Sequence, residues 1–182
     1  MTATAQDIID FWFSDEVKKL WFNSNPEFDE KIRNLFEATY NAGASGLLKD
    51  WQETAQGTLA LVILFDQFPL NMYRGNKKGF ETESLSRDIA HAAIDKGFDQ
   101  NMTGAEKAFL YMPFMHSENI QDQIRSVSLF EAANLQDNLR FAKHHQDIVR
   151  RFGRFPHRNK LLGRESTPEE LEYLNSDSAF HG

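Results

Sequence analysis

The sequence predicts an all-α protein, a multi-helix array or bundle of about seven to nine helices in a single domain spanning residues 1–182. Apolar residues recur at steps of three and four positions along most of the chain, as they do on one face of a helix. Helix-capping patterns precede several of these segments. Neither an alternating strand pattern nor an Asn-Gly or Asp-Gly hairpin signal interrupts them, so no sheet is expected.

The first clear helix begins at Asn25-Pro26, because Asn is a favoured cap and Pro fits the first helical position. Gly43 follows its apolar stripe and is expected to end it. Thr54 can cap the next helix, which contains the apolar run from Leu59 to Phe65. By composition this run could be a buried strand, but the unbroken lead-in from Thr54 favours a helix.

Later helices are marked in the same way. One ends at Gly97, and a T-x-x-E capping box at Thr103 opens the next. Apolar spacing over 124–130 predicts a further helix, and the one after it stops at Gly153. The stretch Thr167 to Glu170 combines a capping box with a first-turn proline and predicts a short last helix.

Composition excludes several classes of function. Cysteine is absent, which excludes disulfides, zinc fingers, iron–sulfur clusters and thiol catalysis. The 20 basic and 27 acidic residues give a formal charge of -7, which disfavours general nucleic-acid binding. The N-terminus has no basic segment and the longest apolar run has seven residues, so neither a secretion signal nor a membrane span is expected. The expected location is the cytoplasm.

Three segments place a proline beside polar clusters, and the first runs from Asp66 to Gly75. Pro69 should stop or kink the apolar helix at Phe68, which leaves Asp66 in its last turn. A carboxylate there opposes the helix dipole and needs a cation, and Arg74 is the nearest one downstream. Asp66 is therefore either half of an Asp–Arg staple that fixes a turn or a carboxylate at the edge of a cleft.

The second segment, Tyr111 to Glu118, places His116 and Glu118 after Pro113. An H-x-E pair occurs in zinc deaminases, but those also need a P-C-x-x-C motif, which a chain without cysteine excludes. In a structural interpretation Glu118 lies in the first turn of the next helix and His116 is a core or turn histidine. In a functional interpretation His116 or His157 is a general base, and Glu118 or Asp66 orients it.

The third segment is strongly basic. Residues 140–164 include eight Lys or Arg and one acidic residue, Asp147. This stretch either docks on the acidic remainder of the chain or forms an anion site. An anion site is an option because the guanidinium group of arginine can donate two parallel hydrogen bonds to a carboxylate or phosphate. Arg154, His157 and Arg158 flank a Phe-Pro turn, and some of them should converge.

A metal site is not expected. His144 and Asp147 stand three positions apart on one predicted helix, which is a usable ligand spacing, but two such residues often coincide by chance. Glycine-rich nucleotide loops and the G-x-S-x-G elbow are absent from the sequence, and no cofactor is expected.

The three segments, with IIDFWF near the start, carry a resemblance over nearly the whole chain. ALVILFDQFPLNMYRG, FLYMPFMHSE and RFGRFPHRNKLLGRESTPEE resemble the bacterial family catalogued as domain of unknown function 924. The resemblance implies an all-helical fold similar to tetratricopeptide-repeat proteins and no established activity. The family pattern has Arg after the first Phe-Pro, where this chain has Leu70, so an anion site there would be weakened or reshaped. The matching positions that could form a shared cleft are Asp66, Gln67, Asn71, Arg74, His116, Glu118, Arg154, His157, Arg158, Asn159 and Arg164.

Two kinds of function follow, and the sequence leaves open whether the protein is an enzyme. The first is binding of, or catalysis on, a small phosphate or carboxylate ligand in an Arg/His/Asp-lined cleft, with His116, Glu118 and His157 as catalytic residues. The ligand-binding residues would be Asp66, Gln67, Asn71, Arg74, Arg154, Arg158, Asn159 and Arg164. The alternative is a tetratricopeptide-like module that binds an acidic peptide or a protein without catalysis. A third, purely structural interpretation is that the three segments join helix ends.

Overall fold

The structure, a computed structural model, describes residues 2–181, and every regular element in that range is helical. The α-helices are α1 (Ala5–Trp12), α2 (Asp15–Lys18), α3 (Pro26–Ala44), α4 (Ala55–Val62), α5 (Phe68–Met72), α6 (Glu83–Asp95), α7 (Gly104–Met115), α8 (Ile120–Ala132), α9 (Gln136–Phe152) and α10 (Pro168–Leu174). Short 3₁₀ turns cover Lys49–Glu53, Lys77–Phe80 and Pro156–Arg158, and a π-helical segment covers Ile63–Gln67.

The chain divides into two compact units, residues 1–113 and 114–182, and each is described by itself. The segments α4, Ile63–Gln67 and α5 are continuous and count as one helix. Residues 2–181 therefore contain nine helices. This confirms the predicted all-α class and helix number. The tetratricopeptide-like arrangement and the single domain stay predictions. Within the described residues, every helix is too short or too polar to cross a membrane.

Helix α3 begins as predicted, with the Phe28 N–H donating to the side chain of Asn25 at 2.9 Å. The predicted end at Gly43 is wrong, since α3 continues to Ala44 and the left-handed residue is Gly46, with φ of 81°. Packing, and not the end of the helix, explains why position 43 is a glycine. A Cβ at Gly43 would lie 2.8 Å from the Phe65 ring, so a larger residue would push that ring out of place.

Of the two outcomes predicted at Phe68, a stop or a kink, the stop does not occur, because the helix continues through Pro69 to Met72. Pro69 has no N–H with which to bond the carbonyl of Phe65 four residues earlier. The hydroxyl of Thr82 donates to that carbonyl instead, at 2.7 Å, and the hydroxyl of Ser86 donates to the Val62 carbonyl at 3.3 Å. The π-helical turn and these two hydroxyls together let the helix pass through the proline.

Aromatic side chains fill much of the core of the first unit. Trp12 and Phe109 are buried with their rings 5.4 Å apart, and Phe36 stacks on Phe68 at 4.7 Å. Trp21 lies 4.7 Å from Phe109 and donates its indole N–H to the Trp12 carbonyl. These contacts join α1, α3, α5 and α7 into one core.

The second unit is built around α8 and α9. Gln123, which is fully buried on α8, donates its amide to the carbonyls of Met115 and Ser117 at 2.7 and 2.6 Å. Helix α9 ends at Gly153 in the left-handed conformation, as predicted. The capping box predicted at Thr167 opens α10. A small apolar core then forms from Ile148, Val149, Phe155 and Tyr173, with Phe152 and Phe180 packed against it.

Candidate functional site

The sequence-predicted residues divide between the two units. The first unit holds Asp66, Gln67, Asn71 and Arg74. The second unit holds His116, Glu118, Arg154, His157, Arg158, Asn159 and Arg164. Within each unit, most of these side chains join a single hydrogen-bonded network.

In the first unit, the four predicted residues form one chain of contacts. The amide of Gln67 donates to the Asp66 carboxylate at 2.6 Å, and the amide of Asn71 donates to the Gln67 carbonyl at 3.0 Å. Arg74 then donates to the side-chain oxygen of Asn71 at 3.3 Å. Asp66, Gln67 and Asn71 are all buried, so this series of hydrogen bonds is largely shielded from water.

The carboxylate partner of Arg74 is Asp29 on α3. Nε of Arg74 lies 2.6 Å from Oδ2 of Asp29 and Nη2 lies 3.0 Å from Oδ1, in a two-point contact. Hydrogen bonding to Asp29 raises the pKa of Arg74. The interpretation of Arg74 as the partner of Asp66 is therefore wrong. No local pattern pointed to Asp29 as the partner, because 45 residues separate it from Arg74.

In the second unit, Glu118 and Arg164 form a similar pair. Nη1 of Arg164 lies 2.6 Å from Oε2 of Glu118, and Nη2 lies 2.8 Å from Oε1. The backbone N–H of Phe155 also donates to Oε1, at 2.8 Å. Burial by itself raises the pKa of Glu118, but the bonds from Arg164 and Phe155 outweigh it and lower the pKa below its usual range.

The predicted place of Glu118 in the first turn of the next helix is wrong. Helix α8 starts at Ile120, and Asn119 caps it by accepting from the Gln121 N–H at 2.8 Å. Glu118 therefore precedes the helix, and its carboxylate binds the segment around Phe155 instead.

A second two-point pair continues this network. Arg154 donates to both carboxylate oxygens of Glu170, at 2.6 and 2.8 Å. Asn159 donates to Glu170 at 3.1 Å and accepts from Arg164 at 3.0 Å, so it connects the two pairs. The hydrogen bond from Arg154 is the main reason that the pKa of Glu170 falls to about 2. Sequence reasoning identified Glu170 only as part of a capping box.

The basic stretch is therefore largely neutralised within its own unit. Arg150 pairs with Asp147, and Arg151 pairs with Glu169, both at 3.0 Å. The second unit contains nine Lys or Arg and ten Asp or Glu, so its charges are close to balance. Of the acidic partners, Glu169 and Glu170 follow the basic stretch closely, Asp147 lies within it, and Glu118 lies well before it.

His157 lies in the turn Pro156–Arg158, against the ring of Phe155 at 5.7 Å. Its Nδ1 atom is buried and has no hydrogen-bond partner among the described residues. The pKa of His157 falls to about 4, mainly because of burial; the nearby charges of Arg158 and Arg164 act in the same direction, and Glu118 opposes them. The imidazole is therefore neutral at pH 7.

A second histidine, His145, is buried on α9. It is 5% exposed, and its Nδ1 lies 2.8 Å from the Phe141 carbonyl. Its pKa falls to about 3, mainly because of burial, and His116 and His157 are among the groups that contribute in the same direction. The ring of Phe155 lies 5.4 Å from that of His145, and the Arg158 guanidinium lies 4.8 Å from Phe155 on its face.

Within the described residues, the arrangement does not pair His157 with the carboxylate that would orient it as a general base. Glu118 was the carboxylate expected to orient the base, but its two oxygens are bonded to Arg164 and to the Phe155 N–H. His157 makes no hydrogen bond to a carboxylate within the part of the chain that the structure describes. In the same range, no three His, Asp or Glu side chains are grouped as metal ligands.

The fold and the networks define an all-helical protein in which Arg–carboxylate pairs join distant segments within each unit. A family described as "Bacterial protein of unknown function (DUF924)" matches residues 8–178, and the chain belongs to this family. A solved structure, the protein of unknown function ATU0120 from Agrobacterium tumefaciens, is similar at 42% identity with a TM-score of 0.89. The match covers 94% of this chain and 96% of that one. No curated protein matches the chain.

Proposed function

We propose that this protein binds a small anionic ligand, of the phosphate or carboxylate class, at the Pro156–Arg158 turn of its second unit. The observation that carries the proposal is the environment of His157. Burial is the main reason that the pKa of His157 is low and its imidazole neutral, and the neighbouring guanidinium groups of Arg158 and Arg164 lower the pKa in the same direction. The positive charges of these two arginines, which oppose protonation of the imidazole, would stabilise a bound anion.

The tautomer of His157 supports the same proposal. A buried N–H without an acceptor is rarer in proteins than a buried lone pair, so we assign the ring proton to Nε2 and not to the buried Nδ1. The Nε2–H group is then available to donate to an oxygen of the ligand. Such a bond between a neutral imidazole and an anion needs no proton transfer.

The other predicted residues act in this proposal as positioning residues. Arg154, Asn159 and Arg164 are held by Glu118 and Glu170, and together they fix the backbone on both sides of the turn. A rigid frame reduces the entropy cost of ordering the site when the ligand binds.

The proposal is tested by titrating the histidines by NMR with and without inorganic phosphate or acetate, at matched ionic strength in sodium chloride. A bound anion raises the pKa of His157 from about 4 towards its usual value of 6.5. Arg158→Gln should remove this effect. Arg150→Gln is the matched control, since Arg150 pairs with the exposed Asp147 and should leave the effect intact.

An unchanged His157 pKa at tens of millimolar phosphate and acetate would refute the proposal. Equal effects of phosphate and chloride would refute it as well, because they would mean general screening and no site.

A further inference from the structure

A partly open cavity of about 280 Å³ lies in the first unit, and none of its lining residues is a candidate site residue from the sequence. It is bordered by the end of α3, the Lys49–Glu53 turn, the α4 and π-helical segment, and α6. The apolar part of its wall consists of Leu48, Leu61, Phe65, Leu85 and Ile89. A wall of this composition favours an apolar ligand group of modest size.

Two glycines keep one side of the cavity wall free of side chains. A Cβ at Gly43 would lie 2.8 Å from Phe65 and 3.2 Å from Leu48, both of which line the cavity. Gly46 adopts φ of 81°, which other residues rarely take, and it also lines the cavity. Larger residues at these positions would displace the cavity wall.

Lys49 lies at the polar rim of the cavity. Its side chain folds back over Gly46, with Cε 3.2 Å and Nζ 3.9 Å from where a Cβ of Gly46 would stand. Its ammonium forms no ion pair with any residue between 2 and 181. Nearby, the ammonium of Lys96 donates at 3.0 Å to the carbonyl of Gln52, another residue of the rim. Lys49 is therefore a cation that lines the cavity, and Lys96 is bonded to the backbone of its rim.

We propose that this cavity binds a medium-chain alkyl carboxylate, with the alkyl chain inside and the carboxylate at Lys49. Its volume of about 280 Å³ lies just below the range of roughly 300–1,000 Å³ that is typical of small-molecule pockets, which suits a small ligand with about ten non-hydrogen atoms. Octanoate has this size and combines an apolar chain with one negative charge. The apolar wall holds the chain, and the Lys49 ammonium selects the charged head group.

The test is calorimetric titration of the full chain with octanoate, 1-octanol and octylamine. Octanoate should bind most tightly, 1-octanol several-fold more weakly and octylamine most weakly, because only the carboxylate pairs with Lys49. Lys49→Gln should reduce octanoate affinity several-fold and leave 1-octanol binding unchanged. Lys19→Gln, at an exposed lysine of the same unit, is the matched control and should leave octanoate affinity unchanged.

A second variant tests the location of the site. Ala44 is exposed and lines the cavity, so Ala44→Trp should block it and abolish binding of both octanoate and 1-octanol. Circular dichroism and thermal melting establish that each variant folds. Equal affinity for octanoate and octylamine, undiminished binding by Ala44→Trp, or no octanoate binding by the folded wild-type chain would each overturn the proposal. None of these outcomes bears on the anion site of the second unit.

Discussion

Arg164 and Glu118 face each other through two parallel hydrogen bonds of 2.6 and 2.8 Å, although 46 residues separate them in sequence. The side chains of Arg164 and Glu118 are 24% and 27% exposed, so the pair is mostly shielded from water. Because Glu118 also accepts from the Phe155 N–H, the pair ties the start of α8 to the segment after α9. This contact holds in place the turn to which we assign anion binding.

Removing the Arg164 side chain should therefore destabilise the protein. Arg164→Met leaves the Glu118 carboxylate without its main partner, at an expected cost of about 1–3 kcal/mol in the free energy of unfolding. Urea denaturation measures this cost. Glu118→Gln combined with Arg164→Met closes a double-mutant cycle, in which a coupling energy above about 0.5 kcal/mol is expected.

Arg150→Met is the matched control for this prediction. The Arg150–Asp147 pair is exposed at 60% and 72%, and such pairs contribute about 0–1 kcal/mol. Equal losses for the two arginine variants would contradict a special role for the Arg164–Glu118 pair.

The hydroxyl of Thr82 is expected to stabilise the π-helical turn. Thr82→Val removes the donor to the Phe65 carbonyl, a group that Pro69 leaves without its usual partner, and should cost about 1–3 kcal/mol in unfolding free energy. Thr82→Ser keeps the hydroxyl and should recover most of that loss. If Thr82→Val and Thr82→Ser are equally destabilised in urea, the hydrogen bond does not support the turn.

Local chemistry explains which features could be predicted from the sequence. The caps at Asn25, Thr54 and Thr167 depend on residues within three positions, and all of them form as predicted. The glycines at positions 97 and 153 adopt left-handed conformations after their helices, again as expected. These features require no knowledge of the tertiary structure.

The remaining features depend on distant residues. Pro69 leaves its helix intact because Thr82, 17 residues from the affected carbonyl of Phe65, supplies a donor. Arg74 pairs with Asp29 and not with Asp66, which is nearer in the sequence, because α3 places Asp29 within hydrogen-bond distance. Spacing along the sequence does not show which distant residues pair. The candidate polar residues could therefore be identified from the sequence, but their hydrogen-bond partners could not.

The free energy of unfolding is expected to fall as the pH falls below about 6.5. His145 has a pKa of about 3 in the folded protein against 6.5 when exposed, so between these values only the unfolded chain takes up the proton. Above pH 6.5 the residue is neutral in both states and contributes no pH dependence. His145→Gln keeps a donor for the Phe141 carbonyl and should flatten the decline in stability between pH 6 and 4.

Urea denaturation at several pH values measures this slope. His181→Gln, at an exposed position, is the matched variant and should retain the wild-type slope. A His145→Gln protein that loses stability with acid as steeply as the wild type would contradict the assignment of the slope to this residue.

Phe180 should control how far the histidine pKa values are lowered. Its ring lies 4.4 Å from that of His145 and 5.0 Å from that of His157, and burial is the main cause of the lowered pKa of both. Phe180→Ala admits water to this face, so the two pKa values should rise from about 3 and about 4 towards 6.5. NMR titration measures both shifts. Leu171→Ala, which removes a half-exposed side chain from α10, should change neither. If both pKa values stay low in Phe180→Ala, the surrounding helices and not the Phe180 ring exclude water from the imidazoles.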